Sequence, residues 1–180
     1  MSKSSPSKPS LTARLRRVQL LLCDVDGVLT DGTVWVGEGF EAKAFSLHDG
    51  MGLALLRRAG LKTGWISSRP STATTQRAAE LKVDFLHQDK TSKVAAVEGI
   101  LALAGCGWAE VCYVGDDVVD LGPLRRAGVG VAVANAVPEA KRCAQHITKA
   151  RGGEGAVREV IEMILKAQGK WAGLVAEFDP

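Results

Sequence analysis

The sequence has little net charge and no long apolar segment. Its 180 residues include 23 lysines and arginines against 20 aspartates and glutamates, a formal net charge of +3. Much of this excess lies in the first 17 residues, so the rest of the chain lacks the basic character of nucleic-acid-binding proteins. The longest apolar runs, such as residues 18–23, are as long as a strand, well short of the ~20 residues that span a bilayer. We therefore expect no nucleic acid or membrane among its partners.

Cysteine and histidine are scarce. The four cysteines form no C-x-x-C pair and the three histidines are scattered, which argues against a structural zinc site. Cys23 and Cys112 lie in apolar runs, as expected of buried free thiols in a reducing compartment. Residues 1–10 are polar and no apolar signal core follows them. We expect a cytoplasmic protein with a disordered tail over residues 1–10.

The chain also lacks the glycine-rich loops that bind nucleotides. Residues 37–39 and 128–130 do not complete a dinucleotide-binding pattern in a strand-to-helix turn, and there is no P-loop. What the sequence does contain is a regular alternation of apolar runs and helical patterns, typical of a parallel sheet with both faces covered. The alternation predicts a doubly wound α/β fold, as one domain over residues 11–171 with a C-terminal tail at 172–180. Strands are predicted at residues 18–23, 62–67, 84–87, 110–115 and 129–133, and helices at 50–59, 71–81, 92–104, 118–127, 138–144 and 155–168.

One segment breaks the alternation after the first strand. Residues 33–36 and 41–45 flank a glycine-rich stretch and predict a β-hairpin. Only 23 residues separate Asp26 from Gly50, enough for a hairpin and too few for a lid domain. We therefore expect a capless domain with a small hairpin insertion.

Chemically active side chains follow the predicted strands. They are Asp24 and Asp26 after the first strand, Ser67 after the second, Lys90 and Lys93 after the third, and Asp116 after the fourth. Ligands of parallel α/β sheets bind outside the carboxyl ends of the strands, where these side chains would meet. The joint placement predicts one functional site.

Crowded carboxylates repel one another, and a hard divalent cation relieves that cost. Mg²⁺ prefers oxygen ligands and neutralises charge on a phosphoryl group. One aspartate can then attack phosphorus, while a second carboxylate two residues later protonates the leaving alkoxide and deprotonates the attacking water. The Ser67 hydroxyl and the Lys93 ammonium would bind phosphate oxygens, and Gly27 lets its N–H approach them closely. The pattern predicts a magnesium-dependent phosphatase.

These motifs resemble those of the haloacid dehalogenase-like phosphohydrolases. Within that superfamily the sequence is similar to the 3-deoxy-D-manno-octulosonate (KDO) 8-phosphate phosphatases over roughly residues 18–171. The segments that carry the resemblance are DVDGVLTDG (24–32), KAF…DGMG (43–52), YVGDD (113–117) and GGEGAVRE (152–159). The resemblance implies a Rossmann-like fold without a cap, Mg²⁺ as cofactor, a small sugar-acid phosphate as substrate, and a homotetramer. The hairpin and residues 151–155 would take part in assembly.

The resemblance also implies roles for individual residues. Asp24 would be the nucleophile and a metal ligand, Asp26 the acid/base with its backbone carbonyl on the metal, and Asp116 the third ligand. Asp117 would support the metal water or Lys93. Asp120 is more readily interpreted as a helix cap.

Substrate contacts are predicted on both sides of the phosphate site. Arg69 would meet a substrate carboxylate or phosphate through paired hydrogen bonds. The full predicted substrate set is Asp26, Gly27, His48, Asp49, Gly50, Ser67, Arg69, Arg77 and Lys93.

Three departures from the family pattern leave the substrate open. Ser68, His48 and Asp89 stand where relatives usually have glycine, arginine and glycine. A nonulosonate (sialic acid-like) 9-phosphate phosphatase is therefore an alternative. So are two non-enzymes, a phospho-receiver domain and a catalytically silent oligomeric partner, although the D-x-D motif on the first strand argues against a receiver.

Overall fold

The computed structural model describes residues 9–179 and confirms the predicted α/β architecture. The predicted tail at residues 1–10 lies outside the described residues except for its last two. No helix within residues 9–179 combines the length and the apolar character needed to cross a membrane. The strands are β1 (Leu20–Asp24), β2 (Trp35–Gly37), β3 (Phe40–Ala42), β4 (Lys62–Ser67), β5 (Phe85–Gln88), β6 (Val111–Gly115), β7 (Val129–Ala132) and β8 (His146–Ile147). The α-helices are α1 (Leu11–Leu15), α2 (Leu47–Arg58), α3 (Thr72–Leu81), α4 (Lys93–Ala104), α5 (Leu121–Arg126), α6 (Pro138–Cys143), α7 (Ala156–Ala167) and α8 (Trp171–Ala176).

The winding of the sheet reverses at β1. Six parallel strands lie in the order β5-β4-β1-β6-β7-β8, so the chain builds outward from β1 to one edge and then returns to β6 on its other side. Asp24 lies beside Ile66 of β4, and Cys23 lies beside Val114 of β6. The carboxyl ends of the three central strands therefore meet at a switch point, where ligands of such sheets bind.

The core lies where helices cover both faces of the central strands. Every residue of β1, β6 and β7 is buried. Helices α2 and α7 pack together on one face, and α4, α5 and α6 pack in succession on the other. The predicted apolar stripe of α7 is confirmed, since all its members are fully buried: Val157, Val160, Ile161, Ile164 and Leu165.

Two helices begin away from their predicted positions because of capping side chains. Helix α2 starts three residues early, since the Ser46 hydroxyl accepts a hydrogen bond from the Asp49 N–H. The helix predicted at 118–127 is instead a 3₁₀ turn over Val118–Asp120 followed by the short α5. The Asp117 carboxylate caps that turn.

Three short elements were not predicted. Helix α1 and strand β8 contain five and two residues, too few to show a periodic pattern. Helix α8 occupies the segment predicted as the C-terminal tail. The cationic groups of Arg158 and Lys166 lie 5.1 and 5.2 Å from the centre of the Trp171 ring, and these contacts connect α8 to α7.

The predicted hairpin is confirmed, with a tighter turn. Strands β2 and β3 pair antiparallel, and Gly37 pairs with Phe40, so only Glu38 and Gly39 form the turn. Gly39 has φ +75°, a left-handed conformation that glycine adopts without strain. The β1–α2 connection thus contains only this hairpin, as expected of a capless domain.

The loop before α7 packs tightly on the loop after β1. The Gly152 N–H donates to Asn135 Oδ1 at 2.7 Å, and the Gly153 N–H donates to the Val28 carbonyl at 3.0 Å. A Cβ at Gly152 would overlap the Gly27 carbonyl oxygen. This contact positions the backbone that follows Asp26.

We predict that Gly152→Ala destabilises the protein, because the added methyl group meets backbone that cannot yield. Overpacking of this kind costs about 1–3 kcal/mol. Chemical denaturation monitored by circular dichroism measures the loss. Gly173→Ala is the matched control, since a Cβ there meets nothing within 4 Å. Equal unfolding midpoints for the two variants would show that the loop contact does not matter.

Candidate active site

Lys93 lies between two carboxylates at the switch point. Its Nζ is 2.8 Å from Asp24 Oδ1 and 2.7 Å from Asp120 Oδ1, and all three side chains are buried. Asp24 is the last residue of β1 and Lys93 the first of α4, so the ends of two elements bring them together. The other lysine considered from the sequence, Lys90, is exposed to solvent.

Asp120 is held in place by donors on every side. Besides Lys93, its Oδ1 accepts a hydrogen bond from the Tyr113 hydroxyl at 2.6 Å. Its Oδ2 accepts from the backbone N–H groups of Asp116 and Asp117 at 3.1 and 3.3 Å. The local bonding expected of Asp120 is present, but the sequence did not predict its contacts with Lys93 and Tyr113.

Asp117 has no ion pair with Lys93 in this structure. Its carboxylate accepts the Val118 N–H at 2.6 Å, and the residue is exposed. The lysine support expected from Asp117 comes instead from Asp120 in this structure.

Three carboxylates converge tightly enough to hold a metal ion. Asp24, Asp116 and Asp120 each offer an oxygen, and these oxygens lie within 4.8 Å of one another. Asp116 Oδ1 is buried and has no hydrogen-bond partner among residues 9–179. Gly27 leaves room for this carboxylate, since a Cβ there would overlap it. The Asp120 oxygens already accept several hydrogen bonds. An ion that takes oxygen ligands, such as Mg²⁺, therefore fits best between Asp24 and Asp116. A ligand role for the Asp26 backbone carbonyl stays a prediction.

The pKa values reflect the crowding of negative charge. Burial and the nearby Asp120 carboxylate raise the pKa of Asp24 well above its usual value. The same two causes raise the pKa of Asp116 to about 6. Burial disfavours the Lys93 ammonium, but Asp24 and Asp120 outweigh this effect, so its pKa is raised. A metal-free site therefore takes up protons near neutral pH, and a divalent cation would displace them.

Asp26 pairs with a lysine that the sequence analysis did not single out. Lys43 Nζ is 2.6 Å from Asp26 Oδ1, and the Lys43 side chain is fully buried. The same ammonium donates to Thr74 Oγ1 at 3.2 Å. Lys43 follows β3 and lies in the KAF segment of the family resemblance, which was the available signal.

Ser67 and Arg69 form a tight turn at the end of β4. The buried Ser67 hydroxyl accepts the Arg69 N–H at 3.1 Å and donates to the Arg69 carbonyl at 3.0 Å. The Arg69 guanidinium lies 2.5 Å from one oxygen of Glu41 on β3, and the Ser71 hydroxyl donates to the other at 2.5 Å. Both hydrogen bonds lower the pKa of Glu41. The hairpin therefore fixes the direction of Arg69.

His48 and Asp49 lie beside α7. Asp49 is buried, and its Oδ1 accepts the Arg158 N–H at 2.7 Å, so it binds the first turn of that helix. His48 is exposed and lines a surface groove that Arg158 also borders. The structure does not bring their side chains into the Asp24 cluster, and their substrate contacts stay predictions.

Gly50 and Arg77 are in contact with each other. A Cβ at Gly50 would come within 2.7 Å of an Arg77 guanidinium nitrogen, so glycine makes room for the arginine. Arg77 also pairs with Glu80 at 2.7 Å, and its Nε has no partner among the described residues. Both residues stay predicted substrate contacts.

This fold and this cluster define a haloacid dehalogenase-like hydrolase, and residues 56–161 match that family. A 3-deoxy-D-manno-octulosonate 8-phosphate phosphatase from Yersinia pestis is 37% identical over 169 residues, which cover 93% of this chain and 90% of the relative. One from Shigella flexneri is 36% identical, covering 92% and 88%. The chain belongs to the 3-deoxy-D-manno-octulosonate 8-phosphate phosphatase family.

Solved structures agree with this assignment. The Moraxella catarrhalis phosphatase, in complex with magnesium ion, phosphate ion and KDO, is 37% identical with a TM-score of 0.90, and the match covers 93% of this chain and 97% of that one. The cobalt-bound form from Haemophilus influenzae is 35% identical with a TM-score of 0.84, covering 87% and 92%. The predicted family and fold are confirmed.

We predict that Mg²⁺ stabilises the protein more at pH 7.5 than at pH 5.5. The folded-state pKa values of Asp24 and Asp116 are raised, so their charge costs stability above pH ~6, and protons compete with the ion below it. Mg²⁺ at ~100 times its Kd adds about 2.7 kcal/mol, or roughly 5–10 °C in Tm. Thermal melts with and without Mg²⁺ at both pH values measure this.

Asp116→Asn provides the control for that experiment. It should abolish the Mg²⁺-dependent rise while the metal-free protein stays at least as stable as wild type, because one crowded charge is gone. A rise that persists in this variant, or that is equal at both pH values, would place the metal elsewhere.

Proposed function

We propose that this chain is a Mg²⁺-dependent phosphomonoesterase that hydrolyses KDO 8-phosphate to KDO and inorganic phosphate. The observation that carries the proposal is the convergence of Asp24, Lys93 and Asp116 at the switch point, beside the Asp26–Lys43 pair. The names and bound ligands of the relatives support the choice of substrate.

Asp24 is the nucleophile in this proposal. One Asp24 oxygen is held 2.8 Å from Lys93 Nζ, which limits its rotation. The other attacks phosphorus, an aspartyl-phosphate forms, and the bond from phosphorus to the sugar oxygen breaks. The carboxylates of Asp24 and Asp116 would hold Mg²⁺, which would neutralise charge on the phosphoryl group. In the second step, water attacks phosphorus, the bond from phosphorus to Asp24 breaks, and Asp24 leaves as a carboxylate.

Asp26 moves the protons. It lies two residues beyond the nucleophile in the loop after β1, and its side chain is about one-quarter exposed. It donates a proton to the sugar alkoxide as that group leaves, and it then takes a proton from the attacking water. The same carboxyl group thereby returns to its starting state.

Substrate binding divides between phosphate and sugar acid. Ser67 follows Ile66, the residue of β4 beside Asp24, and Gly27 lies in the loop after β1, so both would border the phosphate. The Gly27 N–H donates to Thr30 Oγ1 at 3.3 Å in this structure. Arg69 is about half exposed, and Glu41 binds only one of its terminal nitrogens, so the guanidinium can also bind a carboxylate. The proposed substrate set also includes three residues of α2 and one of α3: His48, Asp49, Gly50 and Arg77.

A phosphosugar panel tests the proposal. With Mg²⁺, purified protein should turn over KDO 8-phosphate with a kcat/KM about tenfold or more above nonulosonate 9-phosphates and hexose phosphates. Preference for a nonulosonate 9-phosphate would favour the alternative sialic acid-like phosphatase. A flat profile would remove the substrate assignment.

Two variants accompany the panel. Asp24→Asn should lower kcat by about 10³-fold or more while the fold is retained, because the amide is a poor nucleophile. Asp179→Asn, an exposed change outside the site, should match wild type. Activity retained in Asp24→Asn would exclude Asp24 as the nucleophile, and a wild type without turnover would leave a receiver or a silent partner domain.

The proposed assembly is a homotetramer in the cytoplasm. The hairpin exposes two large aromatic side chains on one face, since Trp35 and Phe40 are 66 and 60% exposed and pair with Ala42 and Gly37 across the strands. Such a patch on a stable protein commonly marks an interface. A second copy of the hairpin presents the same apolar surface, so it is self-complementary. All four cysteines are free thiols, which supports a reducing compartment.

Removing the apolar patch should therefore disrupt assembly. We predict that the double variant Trp35→Ser and Phe40→Ser sediments as a smaller species than wild type. Leu103→Ser is the matched control, because Leu103 is 76% exposed on a different surface, helix α4. A monomeric wild type, or unchanged sedimentation of the double variant, would overturn the proposal.

A further inference from the structure

The Lys43 side chain is buried at a position where packing alone would favour an apolar residue. Its side chain is 0% exposed, and it extends from the end of β3 to the loop after β1. Its ammonium meets two groups, Asp26 Oδ1 at 2.6 Å and Thr74 Oγ1 at 3.2 Å. A buried ammonium is costly unless it is paired, and an apolar side chain would fill the same space at lower cost. The retained charge therefore points to a task involving Asp26.

Asp26 depends on this contact for its orientation. Among residues 9–179, Lys43 is the one cation paired with its carboxylate, and this ion pair is the polar contact of an oxygen that is buried and has no hydrogen-bond partner. Asp26 lies two residues beyond the end of β1, and its side chain is about one-quarter exposed, so without Lys43 the side chain would rotate even though the loop backbone is packed. Proton transfer requires the acid to lie within hydrogen-bond reach of the leaving oxygen. Rotation of the Asp26 carboxyl group would therefore slow the reaction.

We propose that Lys43 is a positioning residue, which fixes the Asp26 carboxyl group for proton transfer to the leaving oxygen and from the attacking water. The inference rests on the proposed phosphatase function. It assigns Lys43 to the orientation of Asp26, whereas Lys93 contacts Asp24 and assists the attack on phosphorus.

The position of Lys43 also connects catalysis to the hairpin. Glu41 and Lys43 are two residues apart, so both project from one face of the extended segment toward the domain, and the Phe40 side chain lies on the other face. Glu41 binds Arg69 and Ser71 while Lys43 binds Asp26. The strand that carries the exposed apolar patch is therefore also the one that orients the acid.

The test compares substrates that differ in their need for an acid. An alkoxide leaving from KDO 8-phosphate needs a proton, whereas nitrophenolate leaving from p-nitrophenyl phosphate does not. In Lys43→Met, kcat on KDO 8-phosphate should fall about 10²-fold with little change in KM. The rapid-mixing burst of nitrophenolate should keep its wild-type rate, and steady-state release should slow because water attack also needs Asp26.

Controls separate this role from a structural one. Lys149→Met makes the same change at an exposed lysine outside the site and should match wild type. Lys43→Gln keeps a donor for Asp26 and should recover part of the loss, and circular dichroism checks the fold of each variant. Equal losses in the burst and on KDO 8-phosphate, or a rise in KM alone, would overturn the positioning role.

Failure of the proposed substrate remains distinguishable. If wild type prefers another alkyl phosphate, that compound replaces KDO 8-phosphate in the comparison. The substrate assignment then fails, while the difference between the alkyl and aryl leaving groups still decides the role of Lys43.

Discussion

The site depends on one ammonium group shared between two buried carboxylates. Lys93 lies within 2.8 Å of both Asp24 and Asp120, and without it three acidic side chains would repel one another at the switch point. One lysine does not balance three carboxylates, and the excess negative charge makes the site suitable for a divalent cation. The raised pKa values of Asp24 and Asp116 express the same imbalance, because burial and mutual repulsion both disfavour the charged forms.

The sheet topology explains why these groups meet. Winding reverses at β1, so β4 and β6 flank it and the carboxyl ends of three strands coincide. Close backbone approaches then complete the site. Gly27 admits the Asp116 carboxylate, and Gly152 packs against the Gly27 carbonyl, so a larger residue at either position would displace the loop that carries Asp26. The rigid sheet supplies the nucleophile, while packed loops supply the groups around it.

The hairpin occupies the place of a cap domain, and its two faces differ. One carries the exposed Trp35 and Phe40, and the other carries Val36 together with Glu41 and Lys43. Glu41 and Lys43 bind residues at the edge of the site. In the proposed tetramer, assembly would restrain the strand that orients Arg69 and Asp26. A small insertion would thereby link association to catalysis without a moving lid.

The sequence by itself determined the order of the longer strands and helices, the D-x-D strand end, Ser67, and the acidic segment after β6. Continuous apolar runs mark buried strands, and the polar residues that end them are local signals. Tertiary structure alone decided that Lys43 pairs with Asp26, that Asp120 rather than Asp117 supports Lys93, and that Asp49 binds the start of α7. Each of these contacts joins groups from different parts of the chain, and only packing sets the distance between them. Local patterns determine which residues end an element, but burial and long-range contacts determine which charges face one another.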